Sequence, residues 1–242
     1  MREPLVFVPG LNCTAALFRH QIEALGAEHP IEIADTTQEA TIAGMAARLL
    51  ASAPPRFALA GLSMGGYVAL EVVRMAPHRV SRLALLDTSA RPDTSEATSR
   101  RIALMRKAEQ GKFAEIHPVL WPMLVAPDHE TGAELEGLVR AMADETGPVA
   151  FMAQERAIIG RMDSRPFLQA IAVPTLVLVG GQDRLTPPEL AREMADAIPQ
   201  AELVVIDGAG HLSPLERPAE VTAALQAWLD RPAATGAPAA RS

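Results

Sequence analysis

Ser63 stands at the centre of Gly61-Leu62-Ser63-Met64-Gly65. Two other residues suit a partnership with it: Asp183, in Gly180-Gly181-Gln182-Asp183-Arg184, and His211, in Gly208-Ala209-Gly210-His211. A free serine hydroxyl is a poor nucleophile at neutral pH and needs a base to take its proton as it attacks. Histidine is the side chain suited to accept that proton and pass it to a leaving group. A carboxylate behind the imidazole fixes its tautomer and stabilises the imidazolium. The order Ser, Asp, His therefore reads as nucleophile, acid and base. Each residue also has a plainer reading: Ser63 as a helix cap, Asp183 as a turn residue capping the next helix, His211 as a loop histidine satisfied by nearby backbone. Asp87, at the end of another apolar run, is a rival for the part of Asp183.

The flanking stretches say where these side chains must sit. Phe57-Ala58-Leu59-Ala60 reads as a short buried strand, and after Ser63 the residues Val68, Ala69, Val72, Val73 and Ala76 recur at helical spacing. Ser63 thus falls where a strand turns sharply into a helix. Such a turn strains its central residue and tolerates only very small neighbours, a physical reason for Gly61 and Gly65. The free N–H groups at the start of the helix also favour negative charge developing beside the serine. Pro174-Thr175-Leu176-Val177-Leu178-Val179 and Leu203-Val204-Val205-Ile206 read as buried strands leading to Asp183 and His211. In a parallel sheet every strand-to-helix loop leaves on one side, so all three side chains belong at the carboxyl edge.

The remaining elements fit that frame. Leu5-Val6-Phe7-Val8 is a strand closed by Pro9-Gly10-Leu11-Asn12, a helix is predicted over 14–25, and Ile31-Glu32-Ile33 is a second strand. A helix through Ala43, Ala46, Ala47 and Leu50 stops at Pro54-Pro55, and Leu83-Ala84-Leu85-Leu86 is another strand. Helices are predicted over 188–197 and near the end, the latter turning Val221, Ala224, Leu225, Trp228 and Leu229 inward. This alternation defines an α/β fold with a mainly parallel sheet and helices on both faces. Between 91 and 165 the rhythm fails: only helices are predicted, over 96–110, 113–125, 131–146 and 149–162. That is too much chain for one crossover and reads as an inserted helical lid over the carboxyl edge. The expected organisation is a core of 1–90 and 166–230, a lid (cap) of 91–165, and a disordered tail of 231–242 made largely of Pro, Ala and Gly.

Composition narrows the function. The chain has 242 residues, of which 49% are hydrophobic and 21% charged, enough for one large domain with a sizeable core. A formal net charge of −7 argues against a nucleic-acid partner, and Arg100-Arg101 and Arg106-Lys107 read as the wet face of a helix. Cys13 is the single cysteine; it cannot form an internal disulfide and reads as a small core thiol, not a nucleophile. The six histidines show no H-E-x-x-H and no close cluster, so no metal and no cofactor are expected. No apolar run reaches membrane length and the N-terminus does not resemble a signal peptide, so a cytoplasmic protein without membrane contact is expected. Monomer and homodimer are equally compatible with these features.

Together, Gly61-Leu62-Ser63-Met64-Gly65-Gly66, Gly180-Gly181-Gln182-Asp183-Arg184-Leu185-Thr186-Pro187 and Gly208-Ala209-Gly210-His211 resemble the α/β-hydrolase superfamily, in its lidded esterase and meta-cleavage-product/enol-lactone hydrolase-like branch. The resemblance covers the chain up to about Arg231. It implies a cofactor-free serine hydrolase that forms an acyl-enzyme on Ser63 from a small-molecule ester, lactone or related acyl compound. It also implies an oxyanion hole made by the backbone N–H groups of Met64 and Leu11. Many members have His-Gly where this chain has Pro9-Gly10, so the loop loses side-chain support, with Asn12 the nearest substitute. A serine at this turn disfavours haloalkane dehalogenase and the usual epoxide hydrolase chemistry, which need a carboxylate there. Carbon–carbon bond (meta-cleavage product) hydrolysis, thioester hydrolysis and ligand reception with little turnover remain compatible with the same three residues. Phe18, Trp121, Met123 and Phe151, with Leu11, are candidates to line an apolar acyl or alcohol pocket, plain core being the alternative reading for most of them. Arg156 and Arg161 are read as a solvated helix face instead of anchors for an acidic substrate.

Overall fold

The computed structural model describes residues 2–232. In chain order its elements are β1 (Leu5–Val8), α1 (Arg19–Leu25), β2 (Ile31–Ile33), α2 (Ile42–Ser52), β3 (Phe57–Leu62), α3 (Met64–Met75), β4 (Val80–Leu86), α4 (Ser95–Glu109), α5 (His117–Leu124), α6 (Ala133–Ile159), β5 (Thr175–Gly180), α7 (Pro188–Ala197), β6 (Ala201–Ile206), α8 (Ser213–Glu216) and α9 (Pro218–Asp230). The six strands pair in the order β2-β1-β3-β4-β5-β6, every pair parallel. Strands covered on both faces read as near-continuous apolar runs, and β1, β3, β4 and β5 are buried throughout, with Ser81 and Arg82 of β4 satisfied by Glu3 and Thr175 of β5 by Val173 O.

Side-chain alternation divides the core. Val6, Val8, Leu59, Leu83, Leu85 and Val177 face α2, α3 and α7, while Leu5, Phe7, Ala58, Ala60, Leu176 and Leu178 face α1 and α9. The helices after β1 and β3 therefore lie on opposite faces of the sheet, and the loops between them diverge. A crevice opens at that point above the carboxyl edge, the place where open α/β sheets bind ligands. Ser63 is at its floor.

The structure departs from the sequence reading in particulars. The inward residues of α2 are Ile42, Met45, Ala46 and Leu49, whereas Ala43 and Ala47 are exposed. The larger side chains set the buried stripe and the alanines fall outside it. β6 is an edge strand, with Val205 40% exposed, so it is not the fully buried strand that its four apolar residues imply. A short helix, α8, follows His211 unannounced. Arg231, placed at the start of the tail, donates from Nη1 to Thr175 O at 3.0 Å and from Nη2 to Gln200 O at 2.8 Å. The rest of the expected tail, 233–242, lies outside the described residues.

Between β4 and β5 there is helix and turn only. α6 is interrupted at Gly147, whose φ of 74° precedes Pro148, so its two halves correspond to the two helices predicted there. Among the described residues no helix is long and apolar enough to cross a membrane.

Candidate active site

Ser63 is the first backbone irregularity after β3, with φ 55° and ψ −115°, a conformation that L side chains adopt only under strain. The neighbouring elements fix it there. Its N–H donates to Leu86 O at 3.0 Å, and its carbonyl accepts from Thr88 Oγ1 at 2.7 Å. A Cβ on Gly61 would come within 2.2 Å of Gly65 O, and one on Gly65 within 2.0 Å of Val8 O. Only glycine lets the chain double back this tightly against the end of β1.

Asp183 and His211 leave β5 and β6 at the same edge and meet. His211 Nδ1 lies 2.8 Å from Asp183 Oδ2, and both side chains are buried. The other lone pairs of the carboxylate are also used: Oδ1 accepts from the N–H groups of Leu185 at 2.8 Å and Thr186 at 2.9 Å, and Oδ2 from Thr186 Oγ1 at 2.6 Å. Burial alone would raise the pKa of Asp183, but the charge of His211 and these hydrogen bonds hold it below the usual carboxylate range. For His211 burial works downward, yet the charge and hydrogen bond of Asp183, with the charges of Asp87 and Glu216, carry its pKa above the ordinary value. An anionic Asp183 of this kind selects the imidazole tautomer protonated on Nδ1 and leaves Nε2 as the acceptor.

Asp87, the rival acid, is close enough to be felt by both partners but bonds elsewhere. Its Oδ1 accepts from Gly180 N at 2.8 Å and its Oδ2 from Ser213 Oγ. Wholly buried and beside Asp183, its carboxyl is pushed well above the ordinary range.

A cavity of about 910 Å³ lies above this edge, between the sheet loops and the helices that follow β4, and both Ser63 and His211 line it. Leu11, Leu104, Phe113, Leu120, Met123 and Ile158 give it apolar walls. Met123 and Leu11 are thus where the pocket expectation puts them; Phe18, Trp121 and Phe151 are not among its lining residues. Phe18 stacks on Phe7 at 4.4 Å in the core beneath α1, and Phe151 packs on Phe113 at 5.5 Å behind the cavity wall. Trp121 turns its indole N–H to Glu130 O at 2.9 Å. Large aromatics are the side chains that interior packing claims first, so type alone does not separate core from pocket. Cys13 also lines the cavity, and burial pushes its thiol up to about 12, which leaves it protonated and inert.

One stretch of wall is polar. Arg101 bonds Glu155 at 2.8 Å and Asp93 at 3.2 Å, and Arg161 bonds Asp93 at 2.7 Å while lying 4.3 Å above the Tyr67 ring. Neither arginine belongs to the solvated face assigned to it from sequence. Two of these pairings join distant parts of the chain, Arg101 with Glu155 and Arg161 with Asp93, which no local pattern announces.

Leu11 and Met64 keep backbone N–H groups with no acceptor among the described residues. The Leu11 loop passes against the serine, since a Cβ on Gly10 would come 3.4 Å from Ser63 Cβ. Asn12, at φ 56°, donates its N–H to Oε1 of Gln154 at 3.0 Å, and Gln154 Nε2 reaches Thr36 O at 3.3 Å. Gln154 sits on α6, so a buried amide from the helical segment secures the loop that lacks the usual histidine. Sequence gave no hint of it. Glu216 was also missed, although an acid in the otherwise uncharged run Leu212-Ser213-Pro214-Leu215-Glu216 is the kind of residue that, once buried, must find donors. No group of histidine, cysteine and carboxylate side chains suited to a metal occurs among the described residues.

A parallel sheet with a strained serine turn after its third strand and an acid–imidazole pair beyond its fifth and sixth is a hydrolase architecture. The chain belongs to the alpha/beta hydrolase family, whose model matches residues 5–225. It is 32% identical over 191 residues to the pimeloyl-(acyl-carrier protein) methyl ester esterase of Neisseria meningitidis serogroup B, covering 75% of this chain and 70% of the relative. It is 26% identical over 179 residues to 3-oxoadipate enol-lactonase 2 of Acinetobacter baylyi, covering 73% and 65%. Among solved structures, a thermophilic esterase from Thermogutta terrifontis, malate bound, superposes with a TM-score of 0.86 at 32% identity, covering 94% of this chain and 89% of that one. The chain is accordingly a hydrolase with enol-lactonase and esterase relatives.

Proposed function

We propose that the chain is a serine hydrolase of small esters, lactones or related acyl compounds that works through an acyl-enzyme on Ser63. The observation that carries this reading is the 2.8 Å contact of His211 Nδ1 with a fully bonded Asp183, with a strained Ser63 lining the same cavity as His211. Ser63 Oγ attacks the acyl carbon while His211 Nε2 takes its proton, and the carbonyl oxygen becomes an oxyanion received by the N–H groups of Met64 and Leu11. Collapse of that intermediate breaks the bond to the leaving oxygen, which receives the proton from His211. Water then repeats the sequence against the acyl-enzyme, with His211 again as base, and releases the acid and the free serine. The helices of 91–165 serve as the lid, and their apolar side chains supply the acyl-binding wall.

The test is hydrolysis of p-nitrophenyl acetate and butyrate by wild type and Ser63→Ala. Wild type is expected to release nitrophenol, and the variant to lose roughly a thousandfold or more of kcat. No turnover by wild type, or equal turnover by the variant, sinks the serine-hydrolase reading. A panel of esters with acyl chains of increasing length then sizes the cavity.

A further inference from the structure

Glu216 is buried, carries no role in the chemistry above, and is bonded on every side. Its Oε1 and Oε2 accept from Gly210 N at 3.0 Å each, Oε1 from Leu212 N at 3.1 Å, and Oε2 from Ala126 N at 2.7 Å. His129 Nδ1 completes the set, 2.9 Å from Oε2. Gly210 and Leu212 are the two neighbours of His211, so one carboxylate grips the backbone on both sides of the imidazole. Ala126 and His129 belong to the helical segment between β4 and β5, and Leu212 N also donates to Leu124 O at 3.1 Å. The loop bearing the proposed base is therefore moored to that segment through one buried carboxylate and one direct backbone hydrogen bond.

We propose that Glu216 is a positioning residue for His211: it fixes the base-bearing loop and couples its geometry to the seating of the lid. The inference rests on the serine-hydrolase reading for its effect on rate, but not for its effect on His211. Four backbone and side-chain donors converging on one carboxylate give a more rigid loop than Gly208, Ala209 and Gly210 would form alone. The titratable groups that face His211 are Asp183 from the loop after β5, Asp87 from the end of β4 and Glu216 from α8. Removing one negative charge from this set disfavours the imidazolium, so the pKa of His211 must fall. A helix whose only task was packing would leave that pKa where it is.

The experiment compares wild type, Glu216→Gln and Glu216→Asp in two readouts. The first is the titration of His211 by NMR of histidine-labelled protein, with its resonance assigned by its loss in His211→Asn. The second is kcat and KM for p-nitrophenyl butyrate as a function of pH. For Glu216→Gln the expected result is a lower His211 pKa, an acid limb of kcat/KM moved to lower pH, and a kcat down about tenfold with KM within twofold. Glu216→Asp, which keeps the charge but shortens the reach, is expected to retain most of the raised pKa while losing kcat. Should Glu216→Gln fail to fold by circular dichroism, Glu216→Asp decides alone: an unchanged kcat overturns the proposal. A fall in kcat with an unaltered His211 titration in Glu216→Gln also overturns it, since that is loss of packing only. So does an altered titration with full kcat, since the position would then not matter. If wild type hydrolyses no ester, the serine-hydrolase reading fails, and the titration still decides whether Glu216 acts on His211.

Discussion

At the residue scale, two buried acids flank one imidazole and only one of them bonds it. Asp183→Asn presents an amide where an anion selects the Nδ1–H tautomer, so kcat is expected to fall about 10⁴-fold with little change in fold, measured with p-nitrophenyl butyrate and circular dichroism. Asp87→Asn keeps an acceptor for Gly180 N and a partner for Ser213, and is expected to cost less than about tenfold. It also removes a carboxyl that burial and the nearby Asp183 push toward its neutral form, so its melting temperature at pH 8 should not fall below that of wild type. A large loss of rate in Asp87→Asn with a mild one in Asp183→Asn would exchange their assigned parts. Because the net shift of His211 is upward, kcat/KM should decline toward acid with an apparent pKa above the ordinary histidine value of about 6.5. A profile flat from pH 5 to 8 would exclude His211 as the base.

At the scale of elements, the serine turn and the Leu11 loop are held by different means. The turn depends on the crossing of α3 and β1, where Gly65 meets Val8 O. Gly65→Ala forces backbone apart at 2.0 Å and is expected to cost about 3 kcal/mol in urea denaturation and most of the activity. The Leu11 loop, proposed to hold an oxyanion donor, depends on Gln154. Gln154→Leu leaves the N–H of Asn12 without its acceptor and strands Thr36, an expected loss of about 1–3 kcal/mol together with a fall in kcat larger than any change in KM. An unchanged kcat would mean that Leu11 is placed without help from α6. How readily these contacts could be read from sequence follows from their range. The turn after β3 announces itself because strand, serine, glycines and helix lie within a few residues. Gln154 is 142 residues from Asn12, and nothing in an amphipathic helix marks which polar side chain will turn inward.

At the scale of the whole molecule, the acid–imidazole pair ties stability to pH. The folded pKa of Asp183 is lowered, so its contribution is complete above its unfolded value and is lost as pH falls through the folded one. That of His211 is raised, so its contribution is complete below its unfolded value and is lost as pH rises through the folded one. The pair therefore stabilises the fold most between about pH 4 and 6.5. In the proposed mechanism the base is neutral His211, so activity is expected to rise as that contribution fades. The difference in melting temperature between wild type and Asp183→Asn should be largest near pH 5 to 6 and shrink by pH 9. A difference that grows toward pH 9 would contradict the assigned directions.

The sequence by itself determined the sheet, its parallel sense and the side from which Ser63, Asp183 and His211 emerge. Those follow from local pattern and from the rule that strand-to-helix loops in a parallel sheet share one edge. It was silent on the contacts that complete the site, because they join residues far apart in the chain. Only the tertiary structure decided that Asp183 and not Asp87 reaches the imidazole, that Arg101 and Arg161 turn into a wall of the cavity, and that Phe18, Trp121 and Phe151 belong to packing. Their residue types suit core, surface and pocket alike. What separates these places is which distant groups lie within a few ångströms.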